Sequence, residues 1–173
     1  MTTGNRQRGF TLLEMIISLV VLGLLGAAAG YGLVGGTLAF TGTADAVQTL
    51  GKLRYANERM AREIREIRRN PLTPANYDIG TMNASSLAFT RTDGITVTLT
   101  GAPPLVTLAY SAPAGTPTLT DEVSSLAYNY LQADGTTAAT GVSDVAFIEF
   151  ELVLTRNGNL YPQRTRVALR NQQ

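Results

Sequence analysis

The stretch RGFTLLEMIISLVVLG, residues 8–23, opens a long apolar run and places a carboxylate, Glu14, near its start. No charged residue occurs from Met15 to Ala44, and residues 15–34 are mostly Leu, Val, Ile, Ala and Gly. A helix of about 20 residues is about 30 Å long, which matches the hydrocarbon core of a bilayer. The run therefore predicts one membrane-spanning helix. A carboxylate deep in such a helix costs about 2.5–3.5 kcal/mol, so Glu14 requires a partner or a role.

Two basic residues, Arg6 and Arg8, precede the apolar run. Positive charge is retained on the cytoplasmic side, so we expect a cytoplasmic N-terminus and a chain that crosses the membrane by about residue 40. The alternative is a cleaved secretory signal, and Ala27–Ala29 imitates the small-residue cleavage site of such signals. The run is too long for a secretory signal, and Glu14 interrupts its start. The sequence thus favours a single-pass anchor.

The composition excludes several classes of site. The 173 residues suffice for one modest domain and an anchor, and they include no Cys and no His. Disulfides, Ser-His-Asp and Cys-His nucleophile systems, and zinc sites with His or thiolate ligands are therefore absent. Lys52 is the only lysine, and the formal net charge is +1, so nothing calls for nucleic acid. We predict a protein that is not an enzyme and that binds no cofactor.

Residues 45–70 are predicted to continue as an amphipathic helix that Asn70-Pro71 ends. One stripe at steps of three and four should pack on the remaining domain: Leu50, Leu53, Asn57, Met60, Ile64 and Ile67. The opposite face should be solvated, with Arg59–Glu63 and Arg62–Glu66 as ion pairs one turn apart, and with Arg69 beyond them. A surface for DNA or phospholipid is the alternative, which the interleaved acids disfavour.

Residues 71–173 are rich in Thr, Val, Ala and Gly in short alternating runs, which predicts an antiparallel sheet. Asp93-Gly94 separates SLAFTRT from ITVTLT and indicates a hairpin whose register is ambiguous. PLVTLAYS and VSSLAYNYLQADG are further candidate strands, and APAGTPTLT between them is predicted to be loop. The predicted fold class is α+β.

The last hairpin is better determined. If Asn157-Gly158 is a two-residue turn, paired residue numbers sum to 315. Glu151 then faces Arg164 and Glu149 faces Arg166, while the other face is mainly apolar. That face pairs Ile148 with Val167, Leu154 with Tyr161, Phe150 with Thr165 and Leu152 with Gln163. Pro162 indicates that its strand lies at a sheet edge or is irregular there.

The basic leader ending in Gly9, followed by Phe10 and a carboxylate at the fifth position from that Phe, resembles type IV prepilins and type II secretion pseudopilins. The resemblance implies a pilin-like fold and cleavage after Gly9 by a membrane prepilin peptidase. It also implies methylation of the Phe10 amine by the same enzyme. Glu14 would then neutralise this amine one turn away, or the amine of the next subunit entering a filament. A carboxylate that merely snorkels at the interface is the alternative.

Glycines punctuate the anchor at two GxxxG spacings, Gly26 to Gly30 and Gly32 to Gly36. Such pairs allow close helix packing. Glycine also weakens a helix by about 1 kcal/mol relative to Ala, so flexibility near residues 30–36 is an equal alternative.

Weaker likenesses downstream extend the resemblance. ERMAREIREIRR, TRTDGITVTL, SSLAYNY and TRVALRN are similar to W-type minor pilins, MSHA-biogenesis O-type proteins and J-type minor pseudopilins. They imply a minor subunit, inserted in the inner membrane with a periplasmic C-terminal domain, and then placed at the initiating tip of a filament. A major pilin and a membrane-anchored adhesin or receptor are the alternatives. Some pseudopilins bind calcium, but no loop here has the dense Asp/Asn/Gly pattern of such sites.

The expected organisation is a leader at residues 1–9, an assembly helix at 10–44, an amphipathic helix at 45–70 and a β-rich domain at 71–173. The partners that the resemblance implies are the peptidase and methyltransferase, sister pilin or pseudopilin subunits, the inner-membrane assembly platform and membrane lipid.

Overall fold

The structure is a computed structural model that describes residues 11–169, with only the backbone of Leu38. The order of elements is one helix, α1 (Leu12–Arg65), followed by nine strands. Contacts divide the chain into two compact units, Met1–Ala44 and Asp45–Gln173. One long N-terminal helix followed by antiparallel sheets is the α+β, pilin-like arrangement that the sequence predicts.

Helix α1 ends at Arg65, so the predicted end at Asn70 is wrong. The next residues are extended, and Ile67 and Arg69 form isolated antiparallel bridges with Arg91 and Tyr77. The Arg68 amide donates to the Thr90 carbonyl at 3.1 Å. The Ile67 amide still donates to the Ile64 carbonyl of the last turn, but the amide and carbonyl of Arg68 bond to Thr90 and Asp78 instead of to the helix. Ile67 enters the core from this extended segment. The periodicity of the sequence does not show that residues distant in sequence will take these backbone hydrogen bonds.

The amphipathic part of α1 packs into the core of the second unit. Leu53, Met60 and Ile64 are almost completely buried, and the polar Asn57 lies buried among them. Leu50, however, is 50% exposed, and Thr49 is buried in its place. The buried helix positions also include Ala56, Ala61 and Glu63. At about 100° per residue, Thr49 lies about 40° and Leu50 about 60° from the centre of this buried face. The prediction that Leu50 packs on the domain, which rested on its hydrophobicity, is therefore wrong.

Two antiparallel sheets complete the second unit. The first has the order β1-β2-β3-β4-β5, with β6 also pairing with β4, and the second has the order β7-β8-β9. The strands are β1 (Ile79–Met82), β2 (Ser86–Thr90), β3 (Thr96–Ala102), β4 (Leu105–Ser111), β5 (Ala114–Gly115), β6 (Thr118–Thr120), β7 (Val123–Leu131), β8 (Phe147–Arg156) and β9 (Asn159–Ala168).

The strand predictions are mostly confirmed. β2 and β3 form the expected hairpin, with Gly94 at a positive φ of 83° in its turn, and β4 and β7 are the other predicted strands. The register left open by the sequence places Leu87 opposite Leu99 and Phe89 opposite Val97, all facing the core. The segment APAGTPTLT is not wholly loop, because it contributes β5 and β6 to the edge of the first sheet. β1 was not predicted.

The β8–β9 hairpin has the predicted register throughout. Its pairs run from Phe147 opposite Ala168 to Arg156 opposite Asn159, and all sum to 315. Asn157 and Gly158 form the turn with φ values of 51° and 79°, as a type I′ turn requires. β9 lies at the edge of its sheet, as Pro162 indicated.

The two sheets meet at a close approach between β3 and β7. A methyl group added to Gly101 would lie 2.5 Å from Cβ of Leu126, which leaves no space for a side chain. The Tyr128 amide donates to the Ala84 carbonyl at 2.7 Å, and the Tyr130 hydroxyl donates to the Asn83 carbonyl at 2.8 Å. The turn between β1 and β2 is thus hydrogen-bonded to the second sheet.

Replacing Gly101 tests this junction. Gly101→Ala should lower the free energy of unfolding by about 1–3 kcal/mol, because the new methyl group overpacks Leu126. Gly141→Ala is the matched control, since nothing lies within 4 Å of the added atom there. Urea unfolding of the full chain in detergent, followed by the near-ultraviolet signal of its tyrosines, measures both variants. Equal stability of the two variants would contradict the close packing.

Candidate assembly site

The N-terminus of α1 is capped by Thr11. Its hydroxyl accepts a hydrogen bond from the Glu14 amide at 3.3 Å, and its carbonyl accepts one from the Met15 amide at 3.1 Å. Glu14 is the third residue of the helix, where a carboxylate interacts favourably with the positive end of the helix dipole. Thr11 and Glu14 have the spacing of a capping box. This local signal is present in the sequence, but the helix cap was not predicted.

The two residues predicted to form the cleavage site, Gly9 and Phe10, lie outside the described residues, as do Arg6 and Arg8. Glu14 is exposed, and within residues 11–169 its carboxylate has no ion-pair partner. The geometry therefore leaves this carboxylate available to a group that residues 11–169 do not supply.

The apolar half of α1 is exposed among the described residues. Its large aliphatic side chains between Leu12 and Val34 are each about half exposed or more, from Val21 at 48% to Leu12 at 79%. By length and composition α1 qualifies as a membrane-crossing helix near the N-terminus. Exposed apolar area of this size marks contact with lipid or with other proteins.

The four glycines of the two GxxxG spacings lie on open helix surface. Atoms added at Gly26, Gly30, Gly32 and Gly36 would meet nothing within 4 Å. At about 100° per residue, the Gly26/Gly30 pair and the Gly32/Gly36 pair lie about 120° apart around the helix. The helix is continuous through this segment. The two pairs thus offer two separate faces for close approach.

One residue predicted to be solvated is buried. Glu63 is only 2% exposed and accepts ion pairs from Arg59 at 2.7 Å and Arg91 at 3.1 Å. The Tyr110 hydroxyl donates to the same carboxylate at 2.9 Å, and burial raises the pKa of this hydroxyl. The predicted Arg59–Glu63 pair is confirmed. The Arg62–Glu66 pair does not form, because Glu66 lies beyond the helix end and accepts from the Thr92 hydroxyl.

A second polar network ties the first turns of α1 in the second unit to two strand turns. Asp45 pairs with Arg156 at 2.7 Å, and Arg156 also pairs with Glu122 at 3.0 Å. Lys52 pairs with Asp121 at 2.6 Å and with Glu122 at 3.2 Å. The hydrogen bond to Lys52 lowers the pKa of Asp121. Since these groups are partly exposed, each pair contributes little by itself, and the network acts mainly by fixing geometry.

A third network differs from the cross-strand pairs that the sequence predicted. Both Arg164 and Arg166 pair with Glu149, whereas Glu151, in register with Arg164, is exposed. Glu149 is 4% exposed, and burial alone would raise its pKa. The hydrogen bonds from Arg164 and Arg166 outweigh that effect and hold the pKa below its ordinary value. The register predicted the partners, but not that one carboxylate takes both.

Two acids of the loop between β7 and β8, Asp134 and Asp144, accept hydrogen bonds from nearby residues. Asp134 accepts hydrogen bonds from the Thr136 and Thr137 amides at 2.9 Å, and the Thr137 hydroxyl and these amides lower its pKa to about 2. Asp144 accepts from the Thr140 hydroxyl at 2.8 Å. Among residues 11–169, no group of three or more acidic side chains is arranged to hold a metal ion.

Comparison with known proteins identifies the N-terminal segment. Residues 4–30 match the family model described as the prokaryotic N-terminal methylation motif. No curated protein matches the chain. The matched segment holds the leader, Glu14 and the first part of the exposed apolar helix. This class III signal peptide supports a type IV pilin-like protein, that is, a pilin or pseudopilin that prepilin peptidase processes. The motif marks a structural subunit and no known enzyme family.

Glu149 and Glu151 provide a matched test of the third network. Glu149→Gln should lower the free energy of unfolding by about 1–2 kcal/mol at pH 7, because two charge-assisted hydrogen bonds are lost. Glu151→Gln should change it by less than about 0.5 kcal/mol.

The effect of Glu149→Gln should also depend on pH. A depressed pKa in the folded state stabilises the protein above the ordinary carboxyl value of 4.5, and this stabilisation is lost as the pH falls through the folded pKa. The difference between the wild type and Glu149→Gln should therefore shrink from pH 6 to pH 3 in urea unfolding. A difference that does not vary with pH would contradict the ionised pair.

Proposed function

We propose that the protein is a minor pilin or pseudopilin, cleaved after Gly9, methylated at Phe10, and assembled through α1 at the initiating tip of a type IV pilus or type II secretion pseudopilus. The observation that carries this proposal is the methylation motif joined to an apolar helix surface that is exposed among residues 11–169. Lipid would cover this surface before assembly, and the helices of sister subunits afterwards.

Glu14 is the pairing residue in this proposal. Cleavage would leave a positive amine on Phe10 at a helix end that is already positive. A carboxylate four residues on neutralises that amine, or the amine of the next subunit in a growing filament. The second pairing also sets the axial register, because an unpaired charge within an apolar filament core is costly. The lack of an ion-pair partner for Glu14 within residues 11–169 supports this role.

The glycine pairs support contacts with more than one neighbouring helix. Gly26/Gly30 and Gly32/Gly36 lie on different faces, so each pair would allow a different helix to approach closely. A single dimer interface would use one face only. This arrangement fits a helix surrounded by other helices, as in the core of a filament.

The minor role rests on short motifs, scattered within residues 58–171, that are similar to minor subunits. It rests also on the sequence's lack of the cysteines with which many major pilins close their C-terminal loop. In this role the C-terminal domain is periplasmic, and the inner-membrane assembly platform is the partner that extracts the subunit. Neither the domain nor the helix has a catalytic task.

The first test is quantitative mass spectrometry of filaments sheared from cells, with the N-terminal peptide read in the same run. We expect the chain to start at methylated Phe10 and to be present in traces relative to the main subunit. An abundant chain would make it a major pilin. An intact peptide from Met1 across Gly9 as the only form would exclude the prepilin interpretation.

Replacing Glu14 separates processing from assembly. Glu14→Ala should leave cleavage and methylation intact but reduce incorporation into filaments at least about tenfold, a ratio that corresponds to ~1.4 kcal/mol. The helix cap should persist, because Thr11 bonds to the amide of residue 14 and not to its carboxylate. Glu151→Ala is the control, since Glu151 is also an exposed acid without an ion pair in the described chain, and it lies outside α1. Normal incorporation of Glu14→Ala would argue against the pairing role.

A further inference from the structure

The outer strand of the second sheet has an open edge. In the β8–β9 hairpin, Arg156 and Asn159 flank a two-residue turn and therefore form a hydrogen-bonded pair. Because such pairs alternate, odd-numbered residues of β9 bond to β8, and even-numbered residues point their backbone groups away from it. The outward set is residues 160, 162, 164, 166 and 168, and no strand of the described chain pairs with it.

Pro162 closes part of this edge. It belongs to the outward set, so its lack of an amide proton removes no hydrogen bond between β8 and β9. At the outer edge, the same lack prevents pairing with an added strand. Beyond Pro162, the amides and carbonyls of Arg164, Arg166 and Ala168 have no hydrogen-bond partner within residues 11–169 and are available to such a strand. The open segment is therefore residues 163–168.

A groove lies beside this open segment. It has a volume of about 300 Å³ between α1 and β9, and Gln163 and Thr165 form its strand side. The Thr165 hydroxyl donates to the Asn57 side chain at 3.0 Å, which joins the two walls. A strand added to β9 would direct every second side chain towards this groove.

The charges around the open segment are mainly positive. Arg62 and Arg65 line the groove, are exposed, and have no carboxylate within 4 Å among residues 11–169. Glu58 is the acid in the lining. On the outer face of the sheet, Arg164 and Arg166 are held by the buried Glu149, yet 62% and 47% of their side chains stay exposed. An added strand would thus meet arginines on both of its faces.

We propose that residues 163–168 of β9, with the groove along Arg62 and Arg65, bind an extended acidic segment of a neighbouring subunit by strand addition. The free backbone groups of the edge supply hydrogen bonds, and the four arginines select Asp or Glu on both faces of the added strand. That the segment comes from a neighbouring subunit rests on the proposed function. The recognition of an extended acidic segment does not.

The test is a titration of the isotope-labelled full chain in detergent micelles with a blocked ten-residue peptide in which pairs of glutamates alternate with pairs of valines, so that both faces of the added strand carry glutamate. We expect amide shifts and hydrogen-exchange protection at Arg164, Arg166 and Ala168, and binding that weakens as salt screens the charges. A peptide with lysine in place of glutamate should not bind. Equal binding of both peptides, no binding, or shifts confined to other residues would overturn the proposal.

Two pairs of variants separate the contributions. Arg62→Ala combined with Arg65→Ala should weaken binding about three- to tenfold, as expected for exposed ion pairs. Arg54→Ala, an exposed helical arginine outside the groove, should not weaken it. Ala168→Pro should abolish protection of the edge, because it removes an outward amide and leaves the β8 ladder intact. Leu160→Pro is the control, since it makes the same change outside the open segment. If both test variants, the Arg62/Arg65 double variant and Ala168→Pro, bind the peptide as well as the wild type does, the proposal is overturned.

Failure here is distinguishable from failure of the proposed function. A chain that is processed to methylated Phe10 and found in filaments, but does not bind the acidic peptide, would overturn strand addition alone. A chain that binds the peptide but retains its leader would overturn the filament role and leave the edge site standing.

Discussion

The uncovered apolar surface of α1 is the constraint on which the rest of this protein depends. From Leu12 to Val34 the helix presents large aliphatic side chains that no other part of the described chain contacts. Burial of apolar surface contributes roughly 25 cal/mol per Å², so such a surface is stable only in lipid or against other apolar helices. Glu14 is the single acid in this environment, and its position at the start of the helix is where a carboxylate costs least.

Within the second unit, the same helix organises the domain. Leu53, Met60 and Ile64 enter the core, while polar contacts fix the helix to both sheets. Glu63 connects it to the first sheet through Arg91 and Tyr110, and Asn57 connects it to β9 through Thr165. Buried charges of this kind contribute specificity of orientation more than net stability, because desolvation offsets much of the attraction.

Local signals in the sequence predicted a large part of this structure. Asn157-Gly158 determines the register of the last hairpin because only a few residues tolerate two successive positive φ angles. The apolar run predicts the anchor because its length and composition are enough for the prediction, whatever the helix contacts. The Gly9, Phe10 and Glu14 motif is equally local, and it is the part of the chain that comparison with known proteins recognises.

The errors arose where a distant partner decides the outcome. Thr90 ends the helix early by accepting the Arg68 amide, and Arg91 brings Glu63 into the interior. Neither residue is near the helix in sequence. Leu50 was predicted to be buried but is half exposed, and the neighbouring Thr49 is buried. At the margin of the helix face, the position of a residue decides its burial more than its hydrophobicity does. The short strands β1, β5 and β6 were missed in whole or in part because brief pairings leave little periodicity.

Glu149 illustrates how a structural contact shapes a surface. The register places Glu151 and Glu149 opposite one arginine each, which would leave two neutral pairs on an exposed sheet. Instead both arginines converge on the buried Glu149, and Glu151 stays apart. Two guanidinium groups that share one carboxylate carry a net positive charge and are held in fixed positions with part of their N–H groups free. Pro162 prevents strand pairing only in the first half of β9. The second half therefore combines the positive charge of Arg164 and Arg166 with backbone groups that can still form hydrogen bonds.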